Sequence, residues 1–335
     1  MDTGSLLVWG VGGLSLVLAF AAFLFGSRFT VVPLLGFVGT VAYGWHAHQA
    51  ETARGLTLLT TVVTIVVLGL IAVYTVLESL PAFRLMGARI FTTVQWNAGG
   101  PYGLIAPIHG TVVTTTIATM IAAPLGIAGA LFIAEIAPDR VGAAIKPAVE
   151  ILAGIPSIVY GFIGFAILNR YLFYELELSS QGSLFLAGVV IGLMALPTVV
   201  SVAEDAITSV PESAKSGSLA LGATDWQTMK SITVPAAFSG VAAAVLLGVG
   251  RAVGETMAAT VILGGTVYLP DPLYDVFGNS VTLTSLIASQ YGDASSMQLS
   301  ALFAAGVTLF VVVMIISVVA QSIEHRMKRK LEAET

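Results

Sequence analysis

The sequence predicts an all-α fold, a polytopic membrane bundle of about eight transmembrane helices, on three observations. Of 335 residues, 56% are hydrophobic. Only 10% are Asp, Glu, Lys or Arg, against roughly a quarter in an ordinary soluble domain. Mean hydropathy is +0.94, more apolar sequence than a soluble core can bury. The charges are also sequestered. Uncharged stretches run 3–27, 29–50, 55–77, 90–134, 151–169, 178–203, 231–250 and 294–323. Each reaches or approaches the about 20 residues that cross a hydrocarbon core as a helix.

The spans follow in order. The first, 5–25, comes after Met1-Asp2-Thr3-Gly4, which lacks the positive region of a cleaved leader, so it is expected to stay. The second, 30–45, is short and carries Gly36, Gly39 and Gly44. The third is 57–77. The fourth, 109–134, places Thr111, Thr115 and Thr119 on one face. Such a stripe suits helix–helix hydrogen bonds better than a polar pathway. The fifth, 148–169, contains Gly154, Pro156, Gly161 and Gly164, and the sixth, 183–203, contains Pro197. The seventh, 237–262, follows Pro235, and the eighth, 301–321, leads into a charged tail after Ile323. Proline kinks a helix and frees backbone groups, which neighbouring helices or a cavity must satisfy.

An even number of spans puts both termini on one side, and basic residues mark the cytoplasmic face. With the N-terminus inside, the inner segments hold Arg54, Arg140, Lys146, Lys215, Lys230, Arg326, Lys328, Arg329 and Lys330. The outer ones hold only Arg28, Arg84, Arg89 and Arg170. Both termini are therefore expected in the cytoplasm. The long outer connections, 78–108 and 263–300, could dock a partner or cap the bundle. Their Trp96, Tyr102, Tyr268 and Tyr274 suit the membrane interface.

Several functions are excluded. A net charge of -5 with no basic stretch before the extreme C-terminus argues against nucleic-acid binding. There is no cysteine, hence no disulfide or thiolate chemistry. No phosphate-loop motif occurs, so this chain does not hydrolyse ATP by that route, and no serine-hydrolase elbow is present. His46, His48, His109 and His325 form no ligand cluster. Neither a catalytic residue, a metal site nor a bound cofactor is expected.

Three constellations carry information. The first is intramembrane, Gly250-Arg251-Ala252-Val253-Gly254-Glu255-Thr256. An Arg near mid-span costs at least about 2.5–3.5 kcal/mol on insertion scales. Arg251 and Glu255 at i and i+4 are expected to face each other, and Gly250 and Gly254 to admit a close helix. The pair serves either packing or anion coordination in a pathway; charges in spans are seldom kept for packing alone. The second is the 204–235 loop, where Leu219, Leu221, Ala223 and Trp226 leave an apolar surface around Gly222, Thr224 and Asp225. A helix–Gly–helix knob there would dock another protein or lie on the membrane. The third is the Gly- and Pro-rich run 150–161, in which Glu150 is expected at headgroup level.

The 204–235 loop resembles the EAA element of ABC importer permeases, whose pattern has Gly, then Ile ten residues on, then Pro three later. Here these are Gly222, Ile232 and Pro235, with Ser216-Gly217-Ser218 in place of Glu-Ala-Ala. A finer resemblance is to the PstC-type membrane subunit of the phosphate importer. It rests on Trp96 through Gly110, Phe132-Ile133-Ala134-Glu135-Ile136-Ala137-Pro138, the 150–161 run, and 250–258 (GRAVGETMA). It covers roughly 95–265, over half the chain.

The resemblance implies a permease subunit of an ATP-driven phosphate importer. It implies a heterodimer with a PstA-like subunit, cytoplasmic ATPase subunits that hold ATP and Mg, and an extracytoplasmic phosphate-binding protein. Arg251 and Glu255 would line the phosphate pathway. Leu219, Gly222, Ala223, Thr224, Asp225, Trp226 and Pro235 would form the ATPase coupling loop. Residues 1–56 would be a two-span extension, 57–323 a six-span core and 324–335 a cytoplasmic tail. A permease for molybdate or sulfate is the nearest alternative, and an ion-coupled secondary transporter with Glu255 as proton carrier a more distant one.

Overall fold

The computed structural model describes residues 3–97, 99–175, 177–178 and 181–334, with the side chains of 3–8, 139, 323–324, 327–328 and 330–334 left aside. Lys328 and Lys330 of the basic tail thus lie outside the described side chains. The helices are α1 (Thr3–Leu24), α2 (Val31–Ala47), α3 (Gln49–Met86), α4 (Ile105–Leu131), α5 (Asp139–Ala153), α6 (Ser157–Ile163) and α7 (Arg170–Glu175). They continue as α8 (Leu184–Thr208), α9 (Glu212–Ala220), α10 (Asp225–Thr228), α11 (Val234–Gly254), α12 (Met257–Leu263), α13 (Leu283–Gln290) and α14 (Ser296–Glu334). Among the described residues, 7 helical stretches are long and apolar enough to cross a membrane, and the apolar helix Trp9–Leu24 is shorter. The all-α membrane fold is as expected.

The chain forms two units, Met1–Tyr74 and Thr75–Thr335. In the first, α1 and α2 pair through small residues. A Cβ at Gly12 would lie 3.1 Å from the Thr40 hydroxyl, and one at Gly36 3.3 Å from that of Ser15. In the second, α8 packs between α4 and α11. The α4–α8 contact is close because Gly192 faces the Ala118 carbonyl, 3.0 Å from where a Cβ would stand. Small-residue faces let membrane helices approach without a hydrophobic driving force.

Two expected spans change. The fifth does not begin at residue 148. Helix α5 stops at Gly154 and the apolar helix restarts at Ser157 after Pro156, running to Glu175 with a π-helical stretch at Gly164–Asn169. Glu150 is exposed on amphipathic α5, outside this span. The seventh is not one helix over 237–262. It breaks at Glu255-Thr256, between α11 and α12. The prolines behave unequally: Pro124 and Pro197 sit inside α4 and α8, whereas Pro235 opens α11.

The connections 78–108 and 263–300 form a cap together. Leu283 and Leu286 of α13 are fully buried with Ile90, Tyr102, Leu104 and Leu302. The Trp96 indole N–H donates to the Gln290 carbonyl at 2.5 Å, and Gln298 donates to the same oxygen at 2.9 Å. Tyr102 is only 2% exposed. It belongs to this core instead of the headgroup layer, while Tyr268 and Tyr274 remain exposed. From the threonine stripe, Thr111 accepts a bond from the Leu283 backbone N–H at 2.9 Å, which ties the cap to α4.

Candidate functional site

The break in the seventh span decides the geometry around Arg251. Helix α11 ends at Gly254, and Glu255 takes extended backbone angles (φ -66, ψ 124). The Glu255 carboxylate then caps the next helix, accepting the Ala258 N–H at 3.0 Å. Its backbone carbonyl accepts the Thr284 hydroxyl of α13 at 2.8 Å. The expected Arg251–Glu255 pair across one helical turn is therefore not formed, because the turn that would have carried it is unwound. Among the described residues no carboxylate lies within ion-pairing distance of Arg251.

Arg251 is exposed and donates one bond, from Nη1 to the Thr198 hydroxyl at 3.2 Å. Thr198 follows Pro197, where α8 lacks one backbone donor. The guanidinium also borders a cleft of about 450 Å³ shared with Leu247 and Gly250 of α11 and with Ser317 and Gln321 of α14. A Cβ at Gly250 or Gly254 would meet nothing within 4 Å. That small-residue face is open in this chain. A guanidinium carries five donors, and here one is used by Thr198, so the group is poised for an anion from the open side.

The 204–235 segment is not an extended loop. Helix α8 continues to Thr208, and α9 and α10 follow with a turn between them. Gly222 has φ +88, a conformation that only glycine adopts freely. Thr224 then starts α10 with a reciprocal capping box to Gln227. Leu221 is 91% exposed and Trp226 67%, with Leu219 also exposed and Ala223 half-buried. Asp225 opens α10, and Pro235 stands in the first turn of α11 after a π-helical link. An exposed Leu–Trp knob beside a Gly turn is the kind of surface another protein binds.

Sequence reasoning missed the partners of these groups. Thr198, Thr284, and the ion pairs Lys146–Glu204, Lys146–Asp205 and Lys215–Glu135 were not paired from sequence. Lys146 on α5 is held above its usual 10.5, first by the hydrogen bond to Glu204 and against the lowering effect of burial. No signal in a single sequence joins residues 58 or 80 positions apart. Among the described residues no group of three or more His, Cys, Asp or Glu is placed to hold a metal ion.

The model of the family "binding-protein-dependent transport system inner membrane component" matches residues 122–329. The probable ABC transporter permease protein YqgH of Bacillus subtilis is 36% identical over 292 residues, 84% of this chain and 93% of that protein. The phosphate transport system permease protein PstC of Haemophilus influenzae is 34% identical over 294 residues, 82% of this chain and 92% of the relative. Among solved structures, a bacterial alginate ABC transporter bound to its alginate-loaded periplasmic protein shares the fold. The TM-score is 0.54 at 18% identity, covering 84% of this chain and 98% of that one. The chain belongs to the family of binding-protein-dependent transport system inner membrane components. It is a multi-pass permease subunit, not an enzyme, working with a separate ATPase and a substrate-binding protein.

Proposed function

We propose that this permease carries inorganic phosphate, as half of a heterodimer with a PstA-like subunit, and that Arg251 contacts the anion in transit. The observation that carries the reading is Arg251 itself, an exposed guanidinium inside an apolar span, with no carboxylate among the described residues at ion-pairing distance. So placed, the cation needs water or an anionic ligand, and its planar paired donors match phosphate oxygens. The name of the Haemophilus relative supports phosphate as that anion. The open Gly250–Gly254 face suits a partner subunit's helix, and the α9–α10 knob suits an ATPase that binds ATP and Mg. The exposed outer cap, with Tyr268, Tyr274 and Asp271 and no basic residue between 263 and 300, suits a phosphate-binding protein. Both termini then lie in the cytoplasm, and the first two spans extend a six-span core.

The test is labelled-phosphate uptake in cells deleted for this chain and complemented from a plasmid, with molybdate and sulfate as controls. The wild type should restore phosphate uptake alone. Glu255→Gln should keep much of it, because a glutamine carbonyl can still accept the Ala258 N–H and no anion contact depends on the carboxylate. Restoration of molybdate or sulfate uptake would refute the substrate. Complete loss in Glu255→Gln at normal membrane levels would instead point to a proton carrier.

A further inference from the structure

The Phe132–Pro138 run and the charged flank of the α9–α10 knob are unused by the reading above, and the structure joins them. Lys215 Nζ donates to Glu135 Oε1 at 2.6 Å, and the two side chains keep only 12% and 16% of their exposure. Glu135 lies in the π-helical turn Phe132–Ile136 that closes α4, and Lys215 is in the middle of α9. One ion pair, largely shielded from solvent, thus ties the end of a membrane span to the first helix of the knob. The knob is also tied within itself, since the Thr228 hydroxyl donates to Ser218 at 3.0 Å. Glu135, Lys215, Leu219, Trp226 and Met229 line a cleft of about 410 Å³ behind it.

The pair is poorly explained as a stabiliser. Losing one partner of a buried pair is harmful, but replacing both by neutral groups is often harmless. Helix α9 has only 9 residues, and Gly217 sits in its interior. Short helices with an internal glycine are weak by themselves. Without an external hold, a push on Leu221 or Trp226 would deform α9 and the Ser209–Pro211 link instead of moving the bundle.

We propose that Glu135 and Lys215 are positioning residues, a clasp that fastens the α9–α10 knob to the inner end of α4 so that movement of the knob is delivered to that span. The inference rests on the reading of the knob as the ATPase-docking element.

The test uses the full transporter with its ATPase and binding protein. Lys215→Met alone should lower assembly, because it leaves a partly buried Glu135 carboxylate unpaired. The double variant Glu135→Gln/Lys215→Met removes both charges and should assemble and hydrolyse ATP normally, with phosphate moved per ATP falling about tenfold. The exchange Glu135→Lys/Lys215→Glu should recover part of that ratio. A double variant with the wild-type ratio, or an exchange with no recovery, would overturn the clasp. A second readout does not depend on substrate. Spin labels at Ile136→Cys and at the exposed α9 position Ser213→Cys in this cysteine-free chain should keep one separation in nucleotide-free and ATP-trapped states. The separation should change between states once the double variant is added. Identical behaviour with and without the pair would also overturn the clasp. Absence of phosphate uptake by the wild type would count against phosphate as substrate, while the label separations still judge the clasp.

Discussion

Replacing Gly222 by aspartate should cut phosphate uptake by at least about tenfold, with membrane insertion and ATPase activity of the complex retained. A Cβ at Gly222 would strike nothing within 4 Å, so the damage is not a clash. The cost is conformational: at φ +88 an L-residue loses about 1–2 kcal/mol, and Asp tolerates that region better than most. The larger effect of Gly222→Asp is therefore its carboxylate, set between Leu221 and Ala223 on the docking surface. Gly222→Val should impair through strain instead, by reshaping the turn. Assaying uptake and ATP hydrolysis together separates uncoupling from loss of the protein. Normal uptake by both variants would remove the knob from the coupling path.

Arg251→Ala should abolish uptake in a protein that still inserts and assembles. The structure makes this a cleaner experiment than an ion pair would allow. Glu255 is capped onto Ala258 and does not depend on Arg251, so no carboxylate is orphaned. Thr198 loses one donor but keeps a hydroxyl that can rotate to another acceptor. Arg251→Lys retains the charge without the planar fork and should keep part of the activity at most. The measurement is labelled-phosphate uptake at matched membrane expression. Uptake by Arg251→Ala at the wild-type rate would make the residue a packing element.

What the sequence revealed about this site depended on the range of each interaction. The Gly222 turn was legible because its signal is local: a glycine between two short apolar-faced segments; the Thr224–Gln227 capping box beside it emerged only in the structure. The break at Glu255 was missed although Gly254 and a capping carboxylate both mark it, because apolar runs on either side gave one continuous hydropathy signal. The same averaging placed the start of the fifth span too early. Gly154 and Pro156 were noted, but Ile151 and Leu152 before them read as part of the crossing. The partners Thr198, Thr284 and Glu135 come from distant segments, and their meeting is a product of how α4, α8 and α13 pack. Chemistry-bearing residues were thus identifiable singly, while their pairing was not.

The central claim, an ATP-driven phosphate permease, is tested most directly by energising the assembled transporter in proteoliposomes loaded with its phosphate-bound binding protein. ATP supplied on the knob side should drive labelled phosphate across the membrane. An uncoupler that collapses the proton gradient should leave the rate unchanged. Phosphate movement that needs the gradient and ignores ATP would contradict the account.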